Sequence, residues 1–99
     1  MTGTADPVAT AWAALARSAA AAECTVALVD GDAAPWWSAT FAGDAVWLTL
    51  DAGMDAEAWL AALPKAELSI PDRLVADCYV ERDGGRALVS LLVLDPDAS

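Results

Sequence analysis

The sequence predicts an α+β domain: a helix, a three-strand antiparallel meander, a second helix, then further antiparallel strands ending in a hairpin. Three observations carry that expectation. The stretch 73–95, RLVADCYVERDGGRALVSLLVLD, reads as two strands about a tight turn at Asp83, Gly84 and Gly85, whose glycines supply positive φ. Its second half, 87–94, is apolar on both faces except at Ser90, as a strand in the middle of a covered sheet is. Apolar residues recur at helical spacing ahead of the meander and again ahead of the closing strands, which puts both helices on one face of the sheet.

The first helix starts at Asp6 and Pro7, where the carboxylate caps free amides and proline suits the first turn. Val8, Trp12, Leu15, Ala19 and Ala22 make its apolar stripe over about 7–22, with Thr10 and Arg17 off it. Trp12 is a core anchor, and residues 1–5 form a frayed tail. The meander takes strands at 24–30, 36–42 and 45–51. A Gly43-Asp44 turn pairs Phe41 with Val46, Ala39 with Leu48 and Trp37 with Leu50. A loop over 31–34 pairs Leu28 with Trp37, Val26 with Ala39 and Cys24 with Phe41. A slip of one residue would exchange the faces, and the two turns agree on them.

Asp55 caps the second helix, with Met54 and Trp59 as a hydrophobic staple. Ala56, Trp59, Leu60 and Leu63 form its buried stripe, and Pro64 ends it. Ala66, Leu68 and Ile70 alternate with Glu67 and Ser69 as a short edge strand. Ser69-Ile70-Pro71-Asp72 also reads as a helix cap, but Val75, Cys78, Tyr79 and Val80 favour a strand. In the closing hairpin a Gly84-Gly85 turn sets Val80 opposite Val89, Cys78 opposite Leu91 and Ala76 opposite Val93. An Asp83-Gly84 turn moves the partners by two and leaves the faces unchanged. Val75, Asp77, Tyr79 and Glu81 share the other face, and residues 96–99 fray. The 99 residues make one domain, without repeat or linker.

The helices can cover Cys24, Val26, Leu28, Trp37, Phe41, Leu48, Leu50, Val80, Leu91 and Val93. Nothing in the sequence is left to cover Val29, Trp36, Trp47, Tyr79, Leu88, Leu92 and Leu94 on the other face. A buried aromatic accounts for roughly 150–250 Å², against about 300–600 Å² for the largest apolar patch of a typical monomer. That face is therefore expected to be an interface, most simply with a second copy in a homodimer. The alternative places one helix on each face and closes both cores within a monomer. Outward Thr25, Ser38, Thr40, Thr49 and Ser90 fit a partly wet interface better.

Composition bounds the partners. The hydrophobic content is 58%, but 25 of those residues are alanine, which buries little. Fifteen acids against five bases and no histidine give a net charge of −10, which argues against nucleic acid and anionic membrane and suits a basic protein. No basic-then-apolar leader opens the chain, and no apolar run approaches the roughly 18 residues of a membrane span, so a cytoplasmic location is expected. Cys24 and Cys78 are expected to be buried free thiols. The size, acidity and element order resemble the small acidic chaperones of type III secretion, whose plan has a last helix that this chain lacks. The resemblance implies dimerisation and binding of protein segments.

Catalytic chemistry is hard to find. Histidine, the usual base and metal ligand, is missing, and five serines occur without a nucleophile-elbow pattern. Gly84-Gly85 is not a phosphate loop, and the cysteines lack zinc or redox spacing. Asp30-Gly31-Asp32 and the group Asp51, Asp55 and Glu57 offer oxygen ligands, though turns and caps account for them. Asp77, mid-strand beside Tyr79, suits a cross-strand pair or an arginine contact. Arg82 and Arg86 are expected to neutralise Glu81 and Asp83. The expectation is a non-catalytic binding, assembly or chaperone-like module with no catalytic residue, cofactor or metal. Two alternatives remain: a ligand-binding or enzymatic pocket lined by Trp12, Trp37, Trp59 and Asp77, and a structural subunit of a larger assembly.

Overall fold

The structure, a computed structural model, describes residues 6–66, 68, 70 and 73–95. Helix α1 spans Pro7–Ala21; strand β1, Val26–Trp37, pairs with β2, Ala42–Ala52; helix α2 spans Glu57–Ala62; β3, Leu74–Asp83, and β4, Arg86–Asp95, close the chain. The four strands form one antiparallel sheet in the order β1-β2-β4-β3. The α+β class and the helix–strands–helix–strands order are those expected. The frayed ends predicted for residues 1–5 and 96–99 lie outside the described residues, as do Glu67, Ser69, Pro71 and Asp72.

Helix α1 begins as the sequence dictates: the Val8 amide donates to Asp6 Oδ1 at 3.0 Å, with Pro7 in the first turn. It ends through Glu23, which takes φ 59°, while the Cys24 amide returns to the Ala19 carbonyl at 3.0 Å. Ala11, Ala14, Leu15 and Ala19 are buried, with Val8 and Trp12 packed beside them; Ala22, expected on the stripe, is exposed.

The meander differs from expectation. It is two long strands, not three, and neither proposed turn exists. Gly31 lies inside β1 because a Cβ there would meet Val8 Cγ1 at 2.5 Å and Leu48 Cδ2 at 3.1 Å. Gly43 lies inside β2 because a Cβ there would sit 2.0 Å from the Val93 carbonyl oxygen. Both glycines admit close neighbours rather than reverse the chain. The real turn falls at 38–41, where the Ser38 amide donates to the Phe41 carbonyl and Ser38 Oγ accepts from the Thr40 and Phe41 amides. The expected pairs are therefore replaced by Leu28–Leu50, Gly31–Leu48, Ala33–Val46 and Trp37–Ala42. Trp37 and Phe41, expected in the core, are 72% and 50% exposed.

Beyond β2 a 3-10 turn over Met54–Ala56 leads into α2, and another, Leu63–Lys65, carries Pro64 past its end. The expected stripe holds: Ala56, Trp59, Leu60 and Leu63 are all buried. The expected cap and staple do not. Asp55 accepts instead from the Thr25 amide at 3.2 Å, and Met54 is 93% exposed. Of the edge strand expected over 66–70, Glu67 and Ser69 lie outside the described residues, and Ile70 makes an isolated bridge to Arg73.

The closing hairpin turns on Gly84 and Gly85, with φ +61° at Gly84 alone, the pattern of a type II′ turn. Val80 faces Val89 and Cys78 faces Leu91, as read from the Gly84-Gly85 turn. One extra residue, Ala76, then bulges, so that Val75 rather than Ala76 meets Val93 and joins the core side.

Both helices pack on one face. Leu15, Leu60 and Leu63 share a single buried cluster with Val46, Leu48, Leu50, Ala87, Val89, Leu91 and Val93. Trp59 Nε1 donates to Ser18 Oγ at 2.9 Å, tying α2 to α1. The arrangement with one helix on each face is thereby excluded. Two ion pairs, Arg73–Asp44 and Arg82–Glu57, lie on this helix-bearing side. Arg82 thus reaches α2 instead of Glu81 or Asp83.

Candidate functional site: the open face of the sheet

Cross-strand register converts alternation into a map of the opposite face. From one end to the other its rows, written β1 to β3, read Ala27–Asp51–Arg86–Asp83, then Asp30–Thr49–Leu88–Glu81, then Asp32–Trp47–Ser90–Tyr79. Ala34–Ala45–Leu92–Asp77 and Trp36–Gly43–Leu94–Leu74 complete it. The two central strands supply the apolar middle. The outer strands supply carboxylates along both sides: Asp30 and Asp32 on β1, Asp77 and Glu81 on β3.

Of the expected contact residues, Val29, Trp47, Tyr79 and Leu88 are 43%, 46%, 68% and 40% exposed. Val29 is the extra residue of a bulge between Leu28 and Asp30. Trp36 and Leu92 are half-buried, and Leu94 is buried at 6% exposure, so it offers little to a partner. Leu74, which the sequence reading passed over, is 55% exposed in the row of Leu94. Alternation could have placed it there, but the Ala76 bulge hides the register: Val75 was expected outward and faces inward. The carboxylates along β1 were equally hidden, because Asp30-Gly31-Asp32 has the composition of a turn.

Between Trp47 and Tyr79 the surface dips. A depression of about 450 Å³ is lined by these rings with Thr49, Ser90, Glu81 and Leu88. Asp30 and Asp32 each accept a hydrogen bond from the next amide, Gly31 and Ala33, at 2.9 Å. The ion pairs of Arg73 and Arg82 are on the far side and include neither of these acids.

The pocket expected from Trp12, Trp37, Trp59 and Asp77 does not assemble. Trp59 is buried against Ser18, Trp12 packs on the core and Trp37 projects at the sheet's end. Asp77 instead borders a groove of about 520 Å³ between β3 and Pro64, Ala66, Leu68 and Ile70. The oxygen-ligand candidates are also dispersed, Asp55 to the Thr25 amide and Glu57 to Arg82, and among the described residues no three acids or cysteines converge. Both thiols are free, Cys24 buried and Cys78 half-buried. Burial pushes each pKa up, with Asp55 adding to the effect at Cys24. Among the described residues no helix is long and apolar enough to cross a membrane.

What the fold defines is a one-sided sheet with an acid-bordered aromatic face. Compared with known proteins, the chain matches no family model, no curated protein and no solved structure.

Proposed function

We propose that this protein is a small non-catalytic binding and assembly module, acting in the cytoplasm, that docks a polypeptide on the open face of its sheet. The supporting observation is the exposure of Val29, Trp47, Tyr79 and Leu88 together, opposite the face that both helices cover. Aromatic residues on a shallow surface with a polar rim are the usual make-up of a protein-binding patch. The sheet edges are less inviting. Strand β1 carries a bulge, two aspartates and Pro35, while β3 carries a bulge and a run of charges, features that discourage strand-to-strand pairing.

Two occupants compete: a second copy of the chain, as in the dimer expected from the sequence, and a basic protein. Charge favours the basic protein. A two-fold axis lying in the face, whether along or across the strands, sets one copy's carboxylates over those of the other. Like-charge apposition of that kind costs affinity. With a net charge of −10, two copies also repel at long range.

Photo-crosslinking in the source cells tests the reading. A photoreactive residue at Tyr79 should yield one discrete adduct, while the same residue at Ala20, exposed on α1, should not. An adduct of twice the chain mass would identify the dimer. Equal labelling from both positions, or none, would remove the face as a binding surface. Trp47→Asp should lose the adduct and keep its circular dichroism spectrum.

A further inference from the structure

We propose that the row Trp47–Ser90–Tyr79 is a slot for a cationic side chain, arginine above all, presented by an otherwise apolar segment of the partner; this rests on the docking face proposed above. Trp47 and Tyr79 are both register partners of Ser90, one on each flanking strand. Strands lie about 4.8 Å apart, so the two aromatic residues stand roughly 10 Å apart across a residue too small to fill the gap. A planar group in van der Waals contact needs about 3.5 Å on each side. The depression of about 450 Å³ takes in this gap and extends over the next row, to Thr49, Leu88 and Glu81.

The lining selects the occupant. Ring faces attract cations, and the Ser90 hydroxyl accepts from an N–H donor. Asp32 closes the row on the β1 side, and Glu81 and Asp77 flank Tyr79 on β3. A purely apolar anchor would desolvate Glu81, which lines the depression, without giving it a partner, which is unfavourable. A guanidinium is flat enough to lie between rings and has donors for hydroxyl and carboxylates at once, whereas an ammonium is a strongly hydrated point charge. Among the described residues, the arginines of the sheet and its flank do not fill the slot. Arg73 and Arg82 are paired on the other face, and Arg86 stands four residues along β4 from Ser90, about 14 Å away.

The test titrates the ¹⁵N-labelled protein with the synthetic peptide acetyl-Gly-Leu-Arg-Leu-Arg-Leu-Gly-amide and with its twin in which citrulline replaces each arginine. The arginine peptide should shift the Trp47 indole and the Ser90 and Tyr79 amides, and the neutral twin should bind about tenfold more weakly. Trp47→Leu and Glu81→Gln should each weaken arginine-peptide binding about three- to tenfold, with the remaining spectrum reporting an intact fold. Equal binding of the two peptides would overturn the cation slot and leave the docking face standing. Shifts that follow protein concentration without peptide would overturn it in favour of a second copy. No shift at millimolar peptide, with the Tyr79 adduct still formed in cells, would also overturn it; failure of adduct and peptide together would remove both proposals.

Discussion

A glycine can serve two opposite purposes, and this chain uses both. Gly84 has φ +61° with nothing within 4 Å of its absent Cβ, so an alanine there meets backbone strain but no neighbour. At Gly43 an alanine would meet the Val93 carbonyl oxygen at 2.0 Å, and backbone cannot step aside as a side chain can. We expect Gly43→Ala to cost about 3 kcal/mol or more, Gly84→Ala about 1–2 kcal/mol, and Gly85→Ala little. Urea unfolding of the three variants checks the order. The thiols carry a second residue-scale expectation. Burial raises both pKa values, so less thiolate forms at a given pH and alkylation is slow near neutrality. Cys78, half-buried, should react before Cys24, and both faster as pH rises. A raised thiol pKa favours the folded state fully below the ordinary thiol value. That contribution is lost as pH climbs through the raised value, so these groups weaken the fold only in alkali. Thiol-reagent kinetics on the two single-cysteine variants would contradict this by showing fast labelling at pH 7.

At the scale of elements, α2 is too short to stand alone; its six residues are held by what they pack on. Trp59 and Leu60 face the core, with Ala56 and Leu63 of the adjoining 3-10 turns buried beside them, and the Trp59 indole is fastened to Ser18 of α1. Ser18→Ala leaves a nearly buried N–H without its acceptor and should cost about 1–2 kcal/mol. Ser18→Thr should restore part of the loss, read by thermal denaturation. The strands show the same dependence on context. Strand β1 continues through Asp30-Gly31-Asp32 because these three pair with Thr49, Leu48 and Trp47 of β2 and α1 needs the space over Gly31.

For the whole molecule, charge and shape pull in different directions. One face of the sheet is closed by helices, the other keeps its aromatics exposed, and a net charge of −10 works against self-association. Self-repulsion of that size destabilises the compact state and is screened by salt. The melting temperature should therefore rise by a few degrees between about 10 and 200 mM sodium chloride. Scanning calorimetry in the two buffers checks it; a fall would mean that attractive pairs outweigh repulsion. Trp47→Asp, on the open face, should leave the melting temperature within about 2 °C in either buffer.

Local chemistry was enough to read α1 from its Asp6 cap, the buried stripe in and around α2, a hairpin about Asp83-Gly84-Gly85 and the excess of apolar residues on one sheet face. Each of these depends on neighbours a few residues away, or on strict alternation. What the tertiary structure decided is the length of β1 and β2, the inward turn of Val75, the burial of Leu94 and the exposure of Trp37 and Phe41. Those outcomes depend on which backbone passes beside Gly31 and Gly43 and where single-residue bulges fall. A chain read in one dimension does not contain the distance from Gly43 to Val93. That distance separates a strand from a turn, and it sets which carboxylates line the open face.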